Sequence, residues 1–548
     1  MSFSPVVPHP SGPTEPVQEP PSRASPGLEV GGQYSDPTSG LSFLHRAWRR
    51  ISNNENSQVL TRQLASSEDE QLLASAGDKP FQTSGAVQLP SPSRGHALLE
   101  LYFDSDEFFC EASRLTEEET GLPRLESAQS RLIQVLYLLM SSRFNQAWYT
   151  FGHALQIISA LGLHRKEARK RASVSVAQRR DYIDDQCKRR TFWVAYTLDK
   201  YLGVIFGRPR HYHDDDIDQD FPDSINDEDM SSSGPNMGSV ESDCHIDSLI
   251  FHARLAQIAE RISREVYSIK TIPDQVRLAA SHRLGAELRE WKASLPPFLG
   301  AINPSSLIPS FRRQATALKL SYCHAVMLAH RPFLLKNTFR NSEEMRLLAK
   351  ESLKECISAA QSVLEAVDRM AQEGRLFHAF WWTHYVCFCA LVIVYVWAIQ
   401  ESNDSSTIDE RRKILDQAER CLGHLAQATA SNSPSRKYSI ILQELRAEAK
   451  RKTARQVQEH WQAKAGPATM AVQGLSDVAS LNILGHPSSL DAGSAQQTWQ
   501  PLFGSPIDTA TPGLQNFLDD WQTTDWLHLD SSAFGPFHGF DDGSLTWI

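Results

Sequence analysis

An all-α fold is predicted: a multi-helix body between disordered N-terminal and C-terminal tails. Three observations predict it. From about residue 96 to 456, apolar residues recur at spacings of three and four, the period that lines one face of a helix. No run of alternating apolar residues bounded by turn signals argues for a sheet. The ends differ from the middle: nine of the first forty residues are proline, and the last 84 residues, after Lys464, hold no Lys or Arg and nine Asp.

Residues 1–36, rich in Pro, Ser, Gly and Glu, are expected to be disordered. Residues 37–95 hold a short amphipathic lead-in, LSFLHRAWRRIS, and a linker ending in QLPSPSRG. The helical body spans 96–456. Its clearest helix is FNQAWYTFGHALQIISALGLHR. There Trp148, Phe151, Leu155, Ile158 and Leu161 share a face, and Gly162 suits the left-handed position that ends a helix. A helix from about 178 to 206 stops at the Gly207-Arg208-Pro209 turn, because proline cannot continue it. Residues 223–243 form an acidic, Ser-rich loop, and helices follow at about 246–270, 274–294, 311–338, 342–372, 376–400, 407–429 and 436–456. Residues 457–515 are a linker, and 516–548 an acidic, aromatic segment.

A chain of 548 residues suffices for two or three domains or for one large helical body with tails. Its net charge of -10 is almost all in the tail; the remainder carries 55 basic and 56 acidic residues. A near-neutral body argues against a general polyanion binder. The eight cysteines, Cys110, Cys187, Cys244, Cys323, Cys356, Cys387, Cys389 and Cys421, are scattered with no CxxC. They are expected to be reduced and mostly buried. MSFSPVVPHPSGP has no basic stretch followed by an apolar one, so no signal peptide is expected. Phe377–Ile399 runs 23 residues without Lys, Arg, Asp or Glu, long enough to span a bilayer. The expected role is instead a central helix covered by amphipathic neighbours, with no membrane partner.

Several stretches, taken in order, resemble the middle homology region of the fungal zinc-cluster transcription factors, a family with a six-cysteine binuclear cluster. Gly162-Leu163-His164-Arg165 precedes a basic stretch. Arg189, Arg190, Phe192 and Trp193 then open a helix that carries Asp199 and leads to Gly207-Arg208-Pro209, with Asp216 and Asp218 ahead of Pro222. LREWKASLPPFL, LSYCHAVMLAHRPFLL with His330-Arg331-Pro332, SPSRKYSIILQELR and the early DPTSGLSFLHRAW are similar to further family segments. The resemblance covers about residues 36–450, and the ordered series carries it rather than any single motif. These residues are read as fold-forming: Phe192, Trp193, Tyr196 and Leu198 offer large groups to bury, and Arg208 is expected to fold back onto Asp199 or the Asp216/Asp218 pair.

The resemblance implies a nuclear regulator of RNA polymerase II transcription. Its implied partners are coactivators, and a second copy or another DNA-binding regulator in a homodimer or heterodimer. In the family, six cysteines near the N-terminus hold two zinc ions against DNA. Here no cysteine precedes Cys110, and Cys387-Phe388-Cys389 is the one close pair. No cofactor is therefore expected within this chain. DNA is expected to be reached indirectly, or through a segment upstream of this sequence.

Residues 165–190 carry ten Lys or Arg, a pattern of nuclear import signals or phosphate contacts. The competing expectation is a solvated face paired to Asp181, Asp184 and Asp185. In the tail, Trp521, Trp526, Leu527, Phe534, Phe537 and Phe540 are interleaved with Asp519, Asp520, Asp525, Asp530, Asp541 and Asp542. Acidic groups keep such side chains solvated until a coactivator groove takes them, which reads as an activation segment; the competing expectation is a linker tail whose aromatics dock on the body of the same chain. One enzymatic alternative has a pattern behind it. Asp214, Asp215 and Asp218 fit the DDxxD carboxylates with which all-α terpene synthases hold magnesium. They follow a proline turn, and no second metal motif lies downstream. His324, His330, His378 and His384 have no metal-ligand spacing, and no catalytic residue is assigned.

Overall fold

The computed structural model describes residues 28–30, 33–54, 107–141, 143–166, 181–236, 243–335, 342–376, 381–400, 408–427, 442–443 and 445–455. Residues 1–27, most of the linker up to 106 and everything from 456 onward lie outside the described residues. That includes the expected linker 457–515 and the activation segment with Trp521, Trp526, Leu527, Phe534, Phe537 and Phe540.

Helices make up nearly all of what is described. After a short hairpin of β1 (Leu28–Val30) and β2 (Gln33–Ser35) come α1 (Gly40–Asn54), α2 (107–117), α3 (Leu125–Met140), α4 (Phe144–Ala160) and α5 (Tyr182–Phe206). The second half holds α6 (His245–Glu265), α7 (Asp274–Ala293), α8 (Pro297–Gly300), α9 (Pro309–His330), α10 (Glu343–Gln372), α11 (Trp381–Gln400), α12 (Ile408–Gln427) and α13 (445–455). Two small differences from expectation stand out. The N-terminal stretch, expected to be disordered through residue 36, carries the antiparallel β1–β2 pair. No proline occurs between Gly27 and Asp36, so the amide donors that pairing needs are present. The acidic loop likewise folds into a 3-10 turn (Asp227–Asp229) and a second hairpin, β3 (Met230–Ser231) with β4 (Gly234–Pro235).

Element ends follow local chemistry. Phe151, Leu155 and Ile158 of α4 are buried, Trp148 and Leu161 pack partly buried beside them, and Gly162 takes a left-handed φ of 67°. Helix α5 starts where the Asp181 carboxylate accepts the Ile183 amide at 3.0 Å, satisfying a donor that the helix itself leaves free. It ends at Gly207, left-handed at φ 61° and ψ 43°, where the Arg208 amide bonds back to the Gly203 carbonyl at 3.0 Å. The helix expected over 311–338 ends at His330 and tightens into a 3-10 turn, Arg331–Leu335. Pro332 has no amide hydrogen with which to continue the α-helical ladder.

The body is arranged around α11. Every residue from Thr383 to Ile399 is buried, with α1, α9, α10 and α12 packed against it. This is the one helix among the described residues long and apolar enough to cross a membrane, and 94% of that stretch is buried inside the protein. A helix apolar on every side is satisfied by neighbours on every side. Helix α1 completes the cover: Phe43, Leu44, Ala47 and Ile51 are buried, and Ser39 Oγ caps its start by accepting the Ser42 amide at 3.0 Å.

Gly40 sits where α1 meets α11. Its amide donates to the Tyr385 hydroxyl at 3.2 Å, and a Cβ there would lie 2.9 Å from Cys389 Sγ. Gly152 in α4, by contrast, faces open space. Gly40→Val is therefore expected to lower the unfolding free energy by about 1–3 kcal/mol through overpacking. Gly152→Ala is expected to raise it by about 0.5–1 kcal/mol through helix propensity. Denaturant midpoints of the two variants check this, and equal shifts of one sign would refute the docking of α1.

Candidate functional site

The motif-bearing residues converge around the C-terminal half of α5, where two charged residues interrupt an apolar helix. Asp199 is buried; its carboxylate accepts the backbone amides of His211 at 2.9 Å and Tyr212 at 3.1 Å. The loop after the Gly-Arg-Pro turn is thereby pulled back onto the helix that precedes it. Lys200, also buried, donates to the Tyr212 carbonyl, lies 3.4 Å from Asp199 Oδ2 and 3.8 Å from Glu260 Oε2 of α6, and sits over the Tyr196 ring. Arg210 Nε lies 3.0 Å from the same Glu260 oxygen, and its Nη1 is 3.9 Å from Asp36 of the lead-in. Asp36 in turn donates its amide to the Gly207 carbonyl at 2.8 Å. No motif singles out Lys200, Arg210, Glu260 or Asp36 in the sequence; the adjacent Asp-Lys pair inside TFWVAYTLDKYLGVIF is the one local signal for this cluster.

Arg208 goes elsewhere than expected. It donates to Asn145 Oδ1 at 2.6 Å and lies over the rings of Trp148 and Phe206 at 5.3 Å. The reason is that the Asp199 oxygens are taken by backbone amides, while the aromatic ends of α4 and α5 offer a face for a guanidinium. Pro209 is exposed beside it.

The Gly162–Arg165 turn is laced to Asp218 and Gln219, in the stretch between the Gly-Arg-Pro turn and Pro222. Carbonyls of Leu163 and Arg165 accept from the Gln219 amide group at 3.0 and 3.1 Å, and the His164 carbonyl accepts the Asp218 and Gln219 amides. The Asp218 carboxylate takes the Lys166 amide at 2.7 Å and pairs with Arg165 at 3.1 Å, contacts that hold it below the usual carboxylate range. On α5, Arg189 pairs with Asp185 at 2.7 Å and Lys188 with Asp184 at 2.8 Å. Arg190 reaches Asp227 and donates to the Ile225 carbonyl at 2.9 Å. The described part of the basic run is thus tied to acids and carbonyls; residues 167–180 lie outside the described residues. Phe192 and Trp193 are buried, with Trp193 stacked on Phe221 at 4.3 Å and donating to the Asp220 carbonyl at 2.8 Å.

His330 and Arg331 form a second polar knot. The His330 Nδ1 lies 3.0 Å from Ser281 Oγ and 3.2 Å from Ser352 Oγ, which joins α7, α9 and α10. Arg331, 1% exposed, donates to the Tyr267 hydroxyl at 3.0 Å and to the Thr38 carbonyl of the lead-in. Its guanidinium lies 5.3 Å from the Phe43 ring. Burial works against its charge, yet Tyr267, Cys389 and Tyr385 hold its pKa above the ordinary value. Pro332 lies half-buried in the 3-10 turn that follows.

These geometries hold loops and helices. The DDxxD-like carboxylates are dispersed in role. Asp214 accepts the Tyr196 hydroxyl at 2.5 Å, Asp218 is engaged as above, and Asp215 and Asp216 are exposed. Among the described residues no group of three or more His, Cys, Asp or Glu is placed to hold a metal ion, so the magnesium-dependent enzyme reading is set aside. The cysteines do not fit the family's zinc cluster either. All eight are among the described residues and free, six of them buried. Burial pushes the thiols of Cys323 and Cys356 up to about 11 and about 12, away from the thiolate that zinc requires.

Comparison with known proteins agrees with the motif series. Residues 63–293 match the family described as the fungal specific transcription factor domain; α9–α11, with His330-Arg331-Pro332, lie beyond that span. The chain is 27% identical over 339 residues to "Activator of stress genes 1" of Saccharomyces cerevisiae, covering 61% of this chain and 34% of that protein. It is 24% identical over 393 residues to "Activator of stress genes protein 1" of Candida albicans, covering 64% and 38%. It is 27% identical over 332 residues to "Transcription factor FBD3" of Fusarium pseudograminearum, covering 54% and 42%. The chain thus spans well under half the length of these relatives. No solved structure matches.

The buried histidines give the body a pH response. Burial, with Arg331 nearby, pushes His324 down to about 3; burial, with His282 and Arg289, does the same to His330. In the unfolded chain both titrate near 6.5. Below that pH the unfolded state binds protons the folded state refuses, so stability that is full above about 6.5 falls as pH drops. Each histidine is expected to contribute a slope of up to about 1.4 kcal/mol per pH unit between roughly pH 6 and 5. Chemical denaturation across that range should show a shallower slope for His330→Gln; an identical slope would contradict burial of a neutral imidazole.

Proposed function

This chain carries a fungal specific transcription factor domain over residues 63–293, and from that premise we propose that it regulates RNA polymerase II transcription in the nucleus and is not an enzyme. The helical body is the regulatory part, and residues 516–548 are an activation segment that recruits coactivators. The domain match carries the reading. Support also comes from the tail composition, with Trp521, Trp526, Leu527, Phe534, Phe537 and Phe540 set among six Asp, a pattern in which solvated aromatics can fold into a coactivator groove. In the body the buried motif residues Asp199, His330 and Arg331 hold its loops and helices together, and the reading leaves recognition to surfaces and tails.

The chain pairs with a second copy as a homodimer or with a DNA-binding regulator as a heterodimer, and DNA is reached through that regulator or through a segment upstream of this sequence. The family's zinc ions would need ligands that these eight cysteines do not supply.

Two outcomes are expected. Residues 500–548 fused to a heterologous DNA-binding domain activate a reporter, and replacing Trp521, Trp526 and Leu527 by Ala abolishes the signal; a silent fusion, or unchanged output from the triple variant, refutes the activation segment. In a mobility-shift assay the chain of residues 1–548 gives no sequence-specific shift with or without zinc. A zinc-dependent shift refutes the assignment of DNA contact to another segment or partner.

A further inference from the structure

Two adjoining concavities lie along α9. The larger, about 700 Å³, is bounded by α3, α9, α10 and the start of α11, with Leu136, Met140, Leu320, Met370 and Trp381 among its walls. The smaller, about 530 Å³, lies between α7, α9 and α10 beside the turn after α8. Pro304, Lys319 and Arg369 line both, so two cations stand on the saddle between them. Sharing these three residues, the two concavities adjoin as one trough along α9.

The larger concavity is apolar in its floor and basic at its rim, and the smaller mixes apolar walls with Asn303, Ser358, Ser362 and Glu355. Leu136 and Met140 are 40% and 47% exposed, large apolar groups left at the surface. Five Arg or Lys line the larger concavity, against one acid, Glu373. Arg312 is taken up by the carbonyls of Pro304, Ser305 and Leu307, and Arg375 pairs with Glu373 at 2.9 Å. Arg313, Lys319 and Arg369 are exposed, and no ion pair engages them among the described residues. Whatever fills this trough must bring large apolar groups and negative charge in alternation.

The same chain contains such a segment. Phe517 and Leu518 are followed by Asp519, Asp520 and Trp521, then by Asp525, Trp526 and Leu527, with no basic residue after Lys464. We propose that residues 516–548 dock in cis into this trough, aromatic groups in the two concavities and carboxylates on Arg313, Lys319 and Arg369. Sixty-one residues separate Arg455 from Phe517. Fully extended, that length spans roughly 200 Å, several times the breadth of a body of this size, so reach is no obstacle. Tethering replaces a bimolecular encounter by an effective concentration that is about millimolar for short flexible linkers and lower for long ones. That is sufficient for contacts that would be weak between separate molecules. Docked, the tail is withheld from coactivators; this consequence rests on the activation reading above, whereas the docking itself does not.

The test is zero-length carbodiimide coupling of the full chain, which joins an ammonium only to a carboxylate in direct contact, followed by peptide mass spectrometry. Lys450 and Glu419, 2.9 Å apart, serve as the internal control. The expected product links Lys319 to Asp519, Asp520 or Asp525, and arises within single chains when isotopically light and heavy protein are mixed. It should fall at least tenfold in the Trp521→Ala, Trp526→Ala, Leu527→Ala variant and in an Arg313→Glu, Arg369→Glu variant, while the control link persists in both. Absence of the Lys319 link with the control present overturns the proposal. So does a link that survives both variants, or one found only between light and heavy chains, which would make a second copy the occupant. The reporter fusion reads the activation segment separately: an active fusion without the link sinks this inference alone, and the link with a silent fusion sinks the activation reading alone.

Discussion

From Thr383 to Ile399 the central helix offers no residue to water, and most of the body follows from the need to cover it. A helix of this kind is stable in water only when neighbours enclose its whole circumference. Helices α9, α10 and α12 supply three sides, and α1 supplies another. The last arrives from residues 40–54 to meet residues 381–400, so the lead-in is part of the body's cover rather than an appendage. Burying each aliphatic side chain of such a helix contributes about 1.5–3 kcal/mol, offset by the ordering of the chain around it.

Polar groups carried into that interior explain the motif residues. Arg331 is a buried cation held by a phenol hydroxyl and a backbone carbonyl, and among the described residues no carboxylate pairs with it. Such a group is costly unless its donors are satisfied, and one of its acceptors belongs to Thr38, nearly three hundred residues earlier. Asp199, Lys200, Arg210 and Glu260 do similar work for the loop after α5. Both knots reach the lead-in, one through Thr38 and one through Asp36. Asp199, Lys200, Arg210, Glu260 and Arg331 are therefore joints between segments distant in the chain.

The sequence allowed some of this to be read and withheld the rest, for physical reasons. Periodicity placed α4 and its buried Phe151, Leu155 and Ile158, and glycine chemistry placed the ends at Gly162 and Gly207, because these signals are local. An uncharged run of 23 residues among amphipathic helices marked α11 as the core. The partners of charged residues were not legible. Arg208 lies over Trp148 and Phe206 instead of meeting an acid, because whether Asp199 is free depends on the path of the loop after it. Lys200 and Arg331 likewise find partners fixed only by tertiary packing. The β1–β2 hairpin is not legible in the sequence because each strand has three residues, too few to show alternation.

The proposed function asks a helical body joined to a tail of Asp and aromatics to act by what it recruits. The most direct measurement is the transcript profile of cells lacking this protein, compared with cells in which residues 1–548 or residues 1–515 are restored. A defined set of transcripts should change on deletion, return with the full chain and fail to return without residues 516–548. An unchanged profile on deletion, or full recovery with the shortened chain, would contradict a transcription regulator that works through its acidic, aromatic tail.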